Sequence, residues 1–176
     1  MLDRSRNPLE QIVLLQHAID GIVGTFYTQV MFADFELQAH RLVEEGKPIT
    51  ADALSDIYFE LLRAYNGDAI DYDPLSRVTW SRIPHFYSTP YYVYQYATCF
   101  ASAARLADQI LTGPDASRAD AVGRYLGLLK AGGSDHPMHL LARAGVDLRD
   151  PATVESVVAR FDALVSRLEQ ELAGVV

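Results

Sequence analysis

The chain has 176 residues, of which 49% are hydrophobic and 22% are charged, far from the composition of a disordered chain. This length suits one domain, and we interpret residues 1–176 as a single helical unit. The net charge of −8 argues against a nucleic-acid partner, because affinity for nucleic acid depends on Lys and Arg that neutralise phosphates. A membrane surface is excluded on similar grounds, since no basic amphipathic face is present.

Cys99 is the only cysteine, so no disulfide can form within the chain. A single thiol fits a reducing compartment, and we expect a cytoplasmic protein. The first eight residues are polar where a signal peptide needs an apolar core, and no apolar run approaches the roughly 20 residues of a membrane helix.

The N-terminal part of the chain predicts two helices. Apolar residues recur at three- and four-residue spacing from Leu9 to about Glu45, which predicts a long helix kinked near residues 21–24. Thr50 is a good N-cap for a second helix, and Asn66-Gly67 supplies its stop.

The rest of the chain predicts further helices after an interruption. The helical period disappears over residues 68–89, and we interpret this stretch as a long irregular loop. Residues 91–111 predict a central helix that is apolar on almost every side and therefore buried. Shorter patterns predict helices over 116–130, 136–144 (ending at Gly145) and 151–172. No strand alternation is present, so the predicted fold class is all-α with about six helices.

The familiar catalytic motifs are absent from this sequence. Its five histidines include no H-E-x-x-H pattern, and no G-x-S-x-G or phosphate-binding loop is present. His136 and His139 form an H-x-x-H pair without a third ligand, which favours solvated residues at a helix start. We expect Cys99 to be an inert core residue, and Asp34 and Glu36 to be ion-pairing or capping groups at the surface.

One segment concentrates residues with chemical potential. Residues 82–96, here called the tyrosine junction, place several tyrosines and His85 where the predicted loop enters the central helix. Tyr91 and Tyr94 are three residues apart and would project from one helix face, close to His85 if the loop folds back. Such a cluster offers donors to a carbonyl oxygen that becomes negative in a transition state. The alternative is that these aromatics fill a core.

The tyrosine junction carries a resemblance to a known family. The motifs at residues 84–87 and 91–98 resemble the C-terminal catalytic segment of oligoendopeptidase F, in the thimet oligopeptidase group of zinc metallopeptidases. Residues 25–36, 125–134 and 144–147 extend the match in the same order along nearly the whole chain.

The resemblance implies a role and a cofactor. It implies that the chain is the C-terminal portion of a catalytic domain that hydrolyses short peptides. His85 would be a substrate-cleft histidine, and Tyr91 and Tyr94 would bind the substrate carbonyl or its tetrahedral intermediate. In that family zinc is held N-terminal to the region represented here, so zinc is expected in the complete enzyme and none is expected to bind this chain alone.

Two hypotheses follow from these observations. In the first, the chain contributes substrate-binding and oxyanion groups, and a partner half supplies the zinc motif; whether the chain is an enzyme by itself is then uncertain. In the second, it is a non-catalytic helical module that binds peptides or oligomerises. Either case predicts an exposed apolar patch, covered by the zinc-binding half or by self-association.

Overall fold

The computed structural model describes residues 7–174, and its regular structure is entirely helical, with no strand among those residues. The all-α class predicted from the apolar periodicity is therefore confirmed. None of the described helices is long and apolar enough to cross a membrane. The α-helices are α1 (Pro8–Ile22), α2 (Thr28–Glu44), α3 (Ala51–Asn66), α4 (His85–Ser88), α5 (Tyr94–Leu111), α6 (Asp115–Ala131), α7 (Pro137–Ala144) and α8 (Pro151–Ala173).

The described residues contain more helices than the sequence predicts. A π-helical turn, Val23–Tyr27, divides the predicted long N-terminal helix into α1 and α2, next to the expected kink. An extra residue in a helical turn produces this geometry and commonly bends the helix. The four residues of α4 are too few to show a helical period, which is why the sequence pattern does not reveal them.

The segment expected to be irregular is partly ordered. Residues Pro74–Arg82 form a 3-10 helix, and the Asp73 carboxylate begins it by accepting a hydrogen bond of 2.8 Å from the Leu75 backbone N–H. A 3-10 helix repeats every 3.0 residues and not every 3.6, so a search for the α-helical period passes over it. The prediction of an irregular loop is wrong for these nine residues.

The chain divides into two compact units. The middle unit is Gly24–Ala97, and the flanking unit comprises Met1–Val23 together with Thr98–Val176. These names refer only to position along the chain. The single unit over residues 1–176 stays a prediction.

Aromatic side chains dominate the core of the middle unit. The Phe35 ring centroid lies 5.5 Å from that of Tyr58, 5.0 Å from that of Phe86 and 6.2 Å from that of Trp80, in tilted or edge-on arrangements that favour aromatic pairs. The buried cluster consists of Met31, Phe32, Phe35, Tyr58, Leu61 and Val93. This core joins α2 and α3 to the chain just before α5.

Two hydroxyl groups near the start of α3 accept hydrogen bonds that order this region. Thr50 caps the helix as predicted, its hydroxyl oxygen accepting a 3.1 Å hydrogen bond from the Ala53 backbone N–H. Ser55 is buried one turn later, and its hydroxyl accepts a 3.1 Å hydrogen bond from Nε1 of Trp80. The indole of the 3-10 helix is thereby attached to α3.

The flanking unit is built on the pairing of α1 with α8. Leu15 of α1 and Val157 of α8 are fully buried. A second cluster forms around Leu106, Ala144 and Val146. Gly145 ends α7 with a φ of +91°, a left-handed conformation that glycine adopts without strain, which confirms the predicted stop.

The start of α5 differs from the prediction. The helix begins at Tyr94 and not at Tyr91, and one of its faces is exposed at Gln95, Cys99 and Ala103. The predicted burial is confirmed on the other sides of the helix, where Ala97, Ala101, Ser102, Ala104 and Leu106 are buried. The assignment of Cys99 to the core is wrong. The apolar composition of this stretch misled the prediction because Ala and Cys occur on exposed helix faces as well as buried ones.

Phe35→Ala should destabilise the middle unit strongly. Phe35 is 3% exposed, and removing a buried phenylalanine ring typically costs about 3–5 kcal/mol. Urea unfolding followed by the fluorescence of Trp80, the only tryptophan, measures this loss. Leu37→Ala on the same helix is the control, since Leu37 is exposed and its truncation should change stability by about 0.5 kcal/mol or less. Equal losses for the two variants would contradict the proposed core.

The start of α7 should make stability depend on pH. Hydrogen bonds from Arg143, from the His136 backbone N–H and from His139 lower the pKa of Asp135 from 3.8 to about 2. A lowered folded-state pKa contributes stability above the unfolded value of 3.8, and that contribution is lost as the pH falls toward about 2. Thermal unfolding of wild type and Asp135→Asn should therefore differ above this interval and converge below it. A difference that is independent of pH would contradict the assignment.

Candidate functional site

The tyrosine junction lies wholly in the middle unit and folds as a short helix, a turn and the start of α5. Pro84 precedes α4, and its carbonyl accepts hydrogen bonds from the Ser88 backbone N–H at 3.1 Å and from the Ser88 hydroxyl at 2.9 Å. The Thr89 backbone N–H closes the helix on the His85 carbonyl at 3.0 Å. His85 is thereby held on a defined element where the sequence predicts a loop.

His85 contacts two tyrosines that sequence reasoning did not select. Its ring stacks on that of Tyr92, with centroids 5.5 Å apart and an interplanar angle of 4°. The Tyr96 ring meets it edge-on at 5.9 Å, and the Tyr96 hydroxyl lies 3.4 Å from His85 Nε2. Tyr92 and Tyr96 also pack together, at 5.5 Å. The three rings form one half-exposed cluster that orients the imidazole.

The environment of Tyr96 keeps its hydroxyl protonated. Desolvation, followed by the neighbouring Tyr92 hydroxyl, raises the pKa of Tyr96 above its ordinary value of 10.0. A phenol with a raised pKa remains a neutral donor at neutral pH. Tyr96 can therefore donate its hydroxyl proton to an acceptor, and both the Tyr92 hydroxyl and His85 Nε2 lie beside it.

Tyr91 does not lie on the helix face on which the sequence places it. Its φ is +57°, and it is the only residue other than glycine with a positive φ among residues 7–174. Its backbone N–H donates a 2.6 Å hydrogen bond to Glu36 Oε1, and its ring lies 4.6 Å from that of His40. The predicted alignment of Tyr91 and Tyr94 on one face is wrong, because the helix has not begun at Tyr91.

Tyr94 occupies the first position of α5 and is 50% exposed. No hydrogen bond to its hydroxyl is present among residues 7–174, so the group is available to an external acceptor. Tyr87, Tyr91 and Tyr92 are exposed as well. The alternative in which these aromatics fill a core is therefore wrong for Tyr91 and Tyr94. Phe86, by contrast, does pack on the core.

Glu36 is the residue of the site that sequence reasoning placed wrongly. It was predicted as a surface charge, but it is 4% exposed and hydrogen-bonded to the tyrosine junction. The sequence contained a signal for this burial. Glu36 continues the stripe formed by Phe32, Phe35 and Ala39, whose spacing places all four on one helix face.

A cavity of about 200 Å³ opens beside these residues within the middle unit. Its wall is mostly apolar, with Phe35, Trp80 and Phe86 among the lining side chains, and Glu36 and His40 provide its polar part. An apolar cavity with a few fixed polar groups is typical of a small-molecule or side-chain binding site.

The residues present do not fit a zinc ion. Within residues 7–174, no three side chains of His, Cys, Asp or Glu lie close enough together to hold a metal. His136 and His139 lie near each other, but His139 contacts Asp135 at 3.3 Å as part of the hydrogen-bonded start of α7. The site therefore consists of hydrogen-bond donors and aromatic rings. The ligands of a metal ion would have to come from outside the described residues.

Comparison with known proteins identifies the family. The family model described as "Peptidase family M3" matches residues 2–159. The chain is 38% identical over 175 residues to the oligopeptidase PepF of Bacillus subtilis, covering 99% of this chain and 25% of that protein. It is also 38% identical over 164 residues to an oligoendopeptidase F homolog of Borreliella burgdorferi, covering 93% and 27%.

A solved structure agrees with these sequence matches. The crystal structure of oligoendopeptidase-F from Enterococcus faecium superposes with a TM-score of 0.91 at 39% identity, covering 98% of this chain and 32% of that one. The chain thus spans about a quarter of the length of the curated relatives. From its sequence and its fold together, the chain belongs to peptidase family M3.

Proposed function

We propose that this chain is the C-terminal portion of the catalytic domain of an oligoendopeptidase F-like zinc metallopeptidase that hydrolyses short peptides. In this proposal it supplies substrate-binding and oxyanion-stabilising groups, namely Tyr94, Tyr91 and His85, and does not supply the zinc motif. Family membership and the quarter-length coverage of the relatives support it.

The observation that carries the proposal is the environment of Tyr94. A half-exposed tyrosine at the first position of an 18-residue helix presents a hydroxyl without a partner among the described residues. Such a donor stabilises a carbonyl oxygen as it becomes negative, and a donor fixed in advance does so without reorganising. The N-terminal end of α5 adds a positive partial charge at the same place, which also favours an anion.

His85 and Tyr91 would act beside Tyr94. The stacked Tyr92 and the edge-on Tyr96 restrict the rotation of the His85 ring, which suits it to donate or accept one defined hydrogen bond from a substrate. Tyr91 is 46% exposed, and contact with His40 holds its ring from one side. Both side chains would bind the substrate and orient its carbonyl toward Tyr94.

The zinc ion, the activated water and the general base would come from another part of the longer protein. Members of the group that the chain resembles are zinc metallopeptidases, and the described residues lack a ligand set. The contribution of this chain is then limited to binding and orienting the peptide and stabilising negative charge on its carbonyl oxygen.

Exposed apolar side chains support a partner surface. Leu9 and Val13 lie one turn apart on α1 and are both mostly exposed, and Leu75 is exposed in the 3-10 helix of the middle unit. A zinc-binding N-terminal part would cover such side chains, and self-association is the alternative. A cytoplasmic location stays a prediction.

Tyr94→Phe should impair catalysis in an enzyme that contains this chain. The test replaces the matching C-terminal part of the Enterococcus faecium oligoendopeptidase-F with this chain, and follows hydrolysis of a quenched fluorescent oligopeptide. Loss of one oxyanion donor should lower kcat by about 10²–10³-fold with little change in KM, because the donor acts mainly in the transition state.

Tyr65→Phe is the matched control. It removes the same hydroxyl from another exposed tyrosine, at the end of α3 and outside the tyrosine junction. Equal activity in the two variants would contradict the role of Tyr94. A chimera that binds zinc and peptide but does not turn over would favour the non-catalytic peptide-binding module.

A further inference from the structure

We propose that Glu36 is a positioning residue: its buried carboxylate fixes the Tyr91 backbone in a left-handed conformation and so sets the direction in which Tyr91 and Tyr94 face the substrate. The effect on the substrate rests on the proposed function, whereas the hydrogen bond from Tyr91 to Glu36 and the positive φ of Tyr91 do not. It concerns a residue of α2 that acts through the Tyr91 backbone.

The Glu36 carboxylate is buried and has one identified partner. Glu36 is 4% exposed, and the salt bridges found within residues 7–174 do not include it. A buried carboxylate is costly unless hydrogen bonds compensate for its lost hydration. The Tyr91 backbone N–H provides such a bond, at a short distance of 2.6 Å. The side chain is therefore committed to this one segment, 55 residues away along the chain.

The backbone at the other end of this hydrogen bond, at Tyr91, has an unusual conformation. A φ of +57° is uncommon for a bulky residue and persists only where surrounding contacts impose it. Pro90 has no N–H to contribute to a turn, so the Tyr91 amide is the first donor available after α4 closes. Its acceptor comes from a side chain and not from a neighbouring carbonyl, which leaves the turn dependent on α2.

Buried and exposed groups alternate from Tyr91 to Tyr94. The Tyr91 amide is held by Glu36, and Val93 is 1% exposed in the cluster that includes Phe32 and Phe35. Tyr92 and Tyr94 point outward between and after these two anchors. Glu36 and the Phe32 and Phe35 of that cluster lie on one face of α2. Loss of the Glu36 hydrogen bond would therefore alter the backbone at Tyr91 and, three residues later, the first turn of α5.

A merely structural role for Glu36 predicts different behaviour. If its side chain only filled the apolar stripe of α2, a leucine of similar size would replace it without loss, since buried polar groups can often be exchanged for apolar ones. A positioning role instead requires an acceptor at this place. Glutamine retains the acceptor oxygen without the charge, and should therefore preserve much of the turn.

The experiment compares Glu36→Leu with Glu36→Gln in the 176-residue chain by amide hydrogen exchange and two-dimensional NMR. In wild type the Tyr91 amide should be protected from exchange and shifted downfield. Glu36→Leu should speed its exchange by about tenfold or more and shift the Tyr94 amide resonance, while Glu36→Gln should recover most of the protection. Asp34→Asn on the same helix removes a carboxylate that binds Gln38, and should leave Tyr91 unchanged.

Unchanged exchange at Tyr91 in Glu36→Leu would overturn the proposal. If that variant does not fold, Glu36→Gln decides alone: the Tyr91 amide proton should move upfield as the charge-assisted bond weakens, and an unchanged resonance would overturn the proposal. Neither readout depends on peptide turnover. Failure of the positioning role is thus distinguishable from failure of the peptidase assignment, which the Tyr94 comparison tests separately.

Discussion

One face of α2 carries both the core of the middle unit and the anchor of its candidate site. Phe32 and Phe35 enter the aromatic cluster, and Glu36 follows on the same face and binds the Tyr91 amide. The tyrosine junction is attached to the same cluster by Phe86 and Val93, and to Glu36 by a backbone hydrogen bond. Because these attachments lie on the core side, neighbouring tyrosines are left to solvent. The same packing that stabilises the unit thus exposes its donors.

In the proposed function, the parts of a peptidase site are divided between this chain and other regions of a longer protein. The described residues provide hydroxyl donors, an oriented imidazole and an apolar cavity, and they provide no cluster of metal ligands. Donors of this kind stabilise negative charge on a carbonyl oxygen, and they supply neither a nucleophile nor a metal. The membership in peptidase family M3 and the quarter-length coverage of the relatives are consistent with such a division.

Much of the fold was predictable from the sequence, because amphipathic helices leave a 3.6-residue apolar period that needs no tertiary information. The helices ended by Gly67 and Gly145 and the cap at Thr50 follow from such local rules. The site was less accessible. Tyr91 combines a positive φ with a hydrogen bond to an acceptor 55 residues away. Local propensity favours a helix at this position and contains no information about such a distant acceptor. The charge of Glu36 suggested a surface position although its spacing indicated the buried face.

We infer that this chain supplies substrate-binding donors and that its described residues form no metal site. This inference is tested by measuring zinc content and hydrolysis of a quenched fluorescent oligopeptide on the purified chain, with and without added zinc. We expect no bound zinc and no turnover under either condition. Zinc-dependent turnover that Tyr94→Phe abolishes would contradict it, because it would require a ligand set that the described residues do not form.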